Sequence, residues 1–82
     1  MFKAKISITL RQSILDPQGK AIHHALESMA MNDVTEVRIG KFVEMTLNSL
    51  TKQEAEQTVE QACKQLLANP VMEDFHFVVE AV

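Results

Sequence analysis

The chain has 82 residues, 46% hydrophobic and 23% charged, which is the composition of one folded soluble domain and excludes both a multidomain enzyme and a disordered chain. Eight basic against eleven acidic side chains leave a net charge of -3, the wrong sign for gripping a nucleic-acid backbone or an anionic membrane. A single cysteine rules out a disulfide framework, and four Phe with no Trp or Tyr leave Ile, Val, Leu and five Met to form the core.

The first element is a strand. From Phe2 to Leu10 apolar and polar residues alternate strictly, so that Phe2, Ala4, Ile6, Ile8 and Leu10 share one face and Lys3, Lys5, Ser7 and Thr9 the other. Asp16 before Pro17 reads as an N-cap followed by Pro at the first helical position, opening a helix that runs to about Met31. Its apolar stripe is Ile22, Ala25, Leu26 and Met29. Gly19 in the first turn lowers helix propensity by ~1 kcal/mol and implies a local packing or close-contact reason there. Val34 to Ile39 and Phe42 to Asn48 read as two strands joined at Gly40-Lys41, a type II′ hairpin with Gly at the positive-φ position. Thr51-Lys52-Gln53-Glu54 is a capping box and starts a second helix with Ala55, Val59, Ala62 and Leu66 as its stripe. Asn69-Pro70 ends it, and Phe75, Phe77 and Val79 alternate in a last strand.

The order strand, helix, strand, strand, helix, strand predicts an α+β two-layer sandwich. Its β-α-β-β-α-β layout is ferredoxin-like, an antiparallel sheet with both helices on one face, and residues 1–82 form a single domain. The opposite sheet face would display Lys3, Lys5, Ser7, Thr9, Arg38, Phe42, Glu44, Thr46, His76 and Val78, a mixture that suits a partner-facing surface. A domain of this size buries only ~60 to 65% of its unfolded surface, which favours association with a copy or a larger partner. Residues 1–20 carry a balance of +3 and residues 21–82 one of -6, so segments of opposite sign can meet. The N-terminus alternates where a signal peptide would be basic and then apolar, and no run approaches the ~20 apolar residues of a membrane span. A cytoplasmic protein with one thiol is expected.

Candidate chemical groups are few. His23 and His24 are adjacent, so on a helix they diverge by ~100° and cannot share a metal. His76 reads as a polar position on the open sheet face, and Cys63 as a buried thiol with no His placed to activate it. Arg38 with the Gly40-Lys41 tip could hold an anion, although one Gly makes no phosphate cradle and a simple turn explains the pair better. Nothing in the sequence assembles a nucleophile, a base and an oxyanion stabiliser, and no metal site is expected.

Three strings, Leu15-Asp16-Pro17-Gln18-Gly19, Val37-Arg38-Ile39-Gly40-Lys41-Phe42 and Leu66-Leu67-Ala68-Asn69-Pro70-Val71-Met72-Glu73-Asp74-Phe75, together resemble the PurS family, the small subunit of phosphoribosylformylglycinamidine synthase. The resemblance implies a subunit of a glutamine-dependent, ATP-consuming carbon-nitrogen ligase of purine biosynthesis, with no activity alone. It implies a self-associating piece, a dimer or higher, that bridges a PurL-type synthetase and a PurQ-type glutaminase and aids ammonia transfer between them. ATP and Mg would belong to the synthetase partner, and this subunit would carry no cofactor. Asp16, Pro17, Gln18, Gly19, Arg38, Gly40 and Lys41, which match the family strings, are the expected partner-contact residues. The chain departs from the family pattern at Met29-Ala30-Met31-Asn32, which lacks the Gly often found at that helix end, and at His23-His24. The alternative reading is a free-standing ferredoxin-like module that binds a small regulatory ligand at Arg38 and the Gly40-Lys41 tip.

Overall fold

The alternating segment at the N-terminus becomes the middle of the sheet. In the computed structural model, which describes residues 1–82, β1 (Phe2–Leu10) lies between β2 (Gly40–Leu47) and β3 (Glu73–Ala81) and is antiparallel to both. Successive side chains leave opposite faces, so Ala4, Ile6 and Ile8 fall on one face and are shut off from solvent. Opposite them stand Met45 and Val43 on β2, and Val79, Phe77 and Phe75 on β3. Helix α1 spans Pro17–Ser28, and α2 spans Lys52–Ala62. The Thr51 hydroxyl caps α2 by accepting the Glu54 N–H at 3.2 Å. α2 lies over β1 and β3 and buries Ala55 and Val59. No helix is long and apolar enough to cross a membrane.

α2 runs directly into a π-helical turn, Cys63–Leu67, where the Ala68 N–H donates to the Cys63 carbonyl. Residues 55, 59 and 63 therefore form the buried line, and Cys63 is fully enclosed. The wider turn swings Leu66, expected in the stripe, out to 81% exposure.

The α+β, ferredoxin-like class holds, with an antiparallel sheet and two helices. Three features of the expected β-α-β-β-α-β layout are corrected. Val34 to Ile39 is not a strand, and the sheet has three strands. Gly40-Lys41 is not a hairpin tip. Gly40 pairs with Thr9 at the start of β2, and neither glycine has a positive φ. The third correction concerns α1, which has no extended contact with any strand, and on which only Gly19 is buried.

These three corrections have one cause. The segment 34–39 turns back antiparallel along α1 instead of pairing with β2. The His23 Nε2 lies 2.8 Å from the Val34 carbonyl oxygen, Gly19 faces the Val37 carbonyl, and the Ile39 N–H reaches the Asp16 carboxylate. Helix and return segment form an arm that projects from the sheet. The molecule measures 51 × 27 × 13 Å with a radius of gyration of 16.2 Å, against about 12 Å for a compact chain of this length.

At the arm's tip the α1 C-terminus closes in a Schellman pattern. The Met31 N–H donates to the Leu26 carbonyl and the Ala30 N–H to that of Glu27. Ala30 takes the left-handed position usually given to glycine, with φ 64°.

Candidate site at the root of the arm

The residues singled out by the sequence meet where the arm leaves the sheet. Asp16, buried at the N-cap of α1, uses both carboxylate oxygens: Oδ1 accepts the Gly19 N–H at 3.0 Å, and Oδ2 accepts the Ile39 N–H at 2.7 Å. The first bond is the expected cap; the second ties the start of the helix to the end of the return segment. These two N–H groups, the Gly19 bond foremost, hold the Asp16 carboxyl below its ordinary value of 3.8, with the Arg38 charge adding to them against the opposing effect of burial.

Arg38 completes the junction from the other rail. Its Nη2 donates to the carbonyls of Leu10, Arg11 and Ile14 at 3.3, 2.8 and 3.1 Å, gathering the loop between β1 and α1 around one guanidinium. The fork geometry and permanent charge of Arg suit such multiple carbonyl contacts, which a Lys would reproduce poorly. Arg38 therefore lies off the sheet face on which it was expected.

Gly19 and Gly40 are required by close approach. A Cβ on Gly19 would stand 2.1 Å from the Val37 oxygen, and one on Gly40 would stand 2.5 Å from the Ile8 oxygen. Lys41 reaches the Leu67 carbonyl at 3.3 Å and the Glu73 carboxylate at 3.7 Å. Pro17 and Gln18 are exposed beside them. A shallow cleft of about 380 Å³ runs along this line, with Asp16, Pro17, Gln18, Gly40, Lys41 and Glu73 on its walls.

The seven candidates thus converge, but they divide by role. Asp16, Gly19 and Arg38 face inward and hold the arm to its root, whereas Pro17, Gln18, Gly40 and Lys41 offer surface. Sequence reasoning missed Arg11 and Glu73. Arg11 donates to the Pro70 carbonyl at 2.7 Å and pairs with Asp74 at 3.5 Å. Glu73 accepts the Asn69 N–H at 2.8 Å besides meeting Lys41. The available signal was positional, since both stand at the ends of alternating runs where a strand enters a loop.

The other chemical groups lie apart. Cys63 is buried, and burial with the nearby Glu60 charge pushes its thiol pKa up, away from nucleophilic use. His23 serves the return segment, while His24 and His76 are exposed. No three His, Cys, Asp or Glu side chains come together as metal ligands. The open sheet face has the expected mixture: Lys3–Glu44 and Lys5–Glu80 ion pairs at 3.0 and 3.6 Å lie beside exposed Phe42 and Val78.

Comparison with known proteins agrees with the three strings. The PurS family model, described as phosphoribosylformylglycinamidine (FGAM) synthase, matches residues 3–81. The phosphoribosylformylglycinamidine synthase subunit PurS of Bacillus subtilis is 45% identical over 82 residues, covering 100% of this chain and 96% of the relative. The crystal structure of Methanocaldococcus jannaschii PurS, one of the subunits of formylglycinamide ribonucleotide amidotransferase, superposes with a TM-score of 0.90 at 35% identity, covering 100% and 99% of the two chains. A chain in the structure of PurLQS from Thermotoga maritima gives a TM-score of 0.88 at 30% identity, covering 96% of each.

Proposed function

Because the chain belongs to the PurS family of FGAM synthase, we propose that it is the assembly subunit of that enzyme, joining a PurL-type synthetase to a PurQ-type glutaminase without catalysing a step itself. The observation that carries this reading is the full-length match to PurS subunits, with a PurLQS structure among the neighbours. The character of the site supports it. The polar groups at the arm root are committed to backbone partners, and the thiol is buried. ATP and Mg would act in the synthetase, glutamine hydrolysis in the glutaminase, and ammonia would pass between them in a cytoplasmic complex that this subunit helps hold in register. Pro17, Gln18, Gly40 and Lys41 are the surface positions we assign to partner contact.

Self-association belongs to the same reading. The arm leaves Ile22, Met29 and Met31 between 41% and 63% exposed, and α2 does not cover β2, where Val43 and Met45 are only half-buried. The outer edge of β2 also has no strand neighbour. A second copy that supplies its arm to this side would cover all three features. The free-standing ligand-binding alternative is not favoured, since Arg38 and Lys41 already have partners and the relatives are FGAM synthase subunits.

The test is reconstitution. With purified synthetase and glutaminase subunits, glutamine, ATP and Mg, adding this chain is expected to produce a complex and switch on glutamine-dependent amidation. If the other two assemble and turn over equally well without it, the reading fails. Light scattering of the isolated chain is expected to give a dimer or larger species, and a monomer at all concentrations would remove the self-association.

A further inference from the structure

The arm is a lever with a small fulcrum. α1 is 12 residues long, about 18 Å at 1.5 Å per residue; it has no extended contact with any strand, and the return segment is not part of the sheet. Its direction must therefore be set where its two rails leave β1 and enter β2. At that point Arg38 binds three carbonyls of the outgoing rail, and Asp16 binds an N–H of the incoming one. The contacts are reciprocal, each rail supplying the charged group that holds the other.

We infer that Asp16 and Arg38 form a root clamp that fixes the angle of the arm against the sheet, acting as positioning residues for assembly while themselves touching no partner. This rests on the reading that the chain assembles with others. The clamp presents α1 in one orientation, so a partner meets a preorganised surface and need not order the arm on binding. Loss of the clamp leaves the sheet core intact, because Ala4, Ile6, Ile8 and Val59 lie outside it.

The experiment separates the clamp from the helix cap. In Asp16→Asn the side-chain oxygen still accepts the Gly19 N–H, and Asn is as good an N-cap as Asp, but the amide NH₂ faces the Ile39 N–H, donor against donor. Arg38→Gln removes the other half. Hydrogen exchange on the isolated protein is expected to show faster exchange in both variants at residues 19–28 and 34–39, with β1, β2 and β3 unchanged; unchanged arm exchange overturns the clamp. Titrating each variant into synthetase and glutaminase subunits is expected to raise the half-saturating concentration at least tenfold while the amidation rate at saturation recovers. Unchanged half-saturation, or a lost plateau with unchanged half-saturation, overturns the positioning role. If the wild-type chain itself supports no amidation, the assembly reading fails, and the exchange measurement still decides the clamp.

Discussion

In the sheet body, β1 has a neighbour on each side and a helix above, and Ala4, Ile6 and Ile8 are removed from water. In the arm only Gly19 and Asp16 are buried, and helix and return segment are joined by single polar contacts: His23 to Val34, and Asp16 to Ile39. The body is held by the non-directional burial of apolar area, which tolerates adjustment of individual contacts. The arm is held by directional bonds at a few atoms, each of which is costly to lose and none of which can be replaced by neighbours. An apolar stripe left uncovered on such an arm acquires a structural role only when something docks on it, so the region weakest in the isolated chain is the one suited to assembly.

Substitutions should separate the two regions. The largest effect is expected for Ile6→Ala, which opens a cavity in the fully buried row and should cost about 2–5 kcal/mol by urea denaturation, taking arm and body together. A loss under about 1 kcal/mol would mean that the body does not depend on this row. Gly19→Ala should follow. Alanine is the better helix former by about 1 kcal/mol, yet its Cβ would stand 2.1 Å from the Val37 oxygen. A net loss of about 1–3 kcal/mol is expected, confined to exchange of the arm amides; a more protected arm would show that the return segment does not lie against α1.

Acid offers a gentler probe. The folded Asp16 carboxyl is held below its ordinary 3.8, so the stability it adds is complete above the unfolded value and disappears as pH falls through the lower folded one. The Gly19 and Ile39 amide resonances should therefore move below pH 4 and not above it, and Asp16→Asn should abolish that titration. Movement centred near neutral pH would assign the transition to another group. The smallest change is expected for Ala30→Gly, which relieves a left-handed alanine at the helix end. It should stabilise the last turn of α1 by about 0.5–1 kcal/mol, read as slower exchange at Met31, with no gain in the sheet.

Legibility in the sequence followed the same division. Period-two alternation in β1 and β3 and the caps at Asp16 and Thr51 are local signals, and the structure has each of them in place. Val34 to Ile39 has the composition of a strand, but composition does not say which surface an extended segment will meet. Here it meets a helix. Leu66 was misplaced for a related reason, since a helical stripe assumes 3.6 residues per turn and the π-turn breaks that period. Gly19 carried the one legible hint, a helix-breaking residue inside a helix, and the Val37 backbone beside it supplies the reason.

The family, the elements with a regular period and the residues that gather at the arm root are legible in the chain alone, because all of these are written in strings or in spacing along it. That α1 stands away from the sheet, that Gly40 begins a strand, and that Arg38 and Asp16 each hold the opposite rail became visible in the folded molecule alone. Those outcomes depend on contacts between residues 23 to 31 positions apart, from Asp16–Ile39 to Thr9–Gly40. Neither periodicity nor propensity reaches across such a distance, and the choice is made by which backbone groups find partners once the chain has folded.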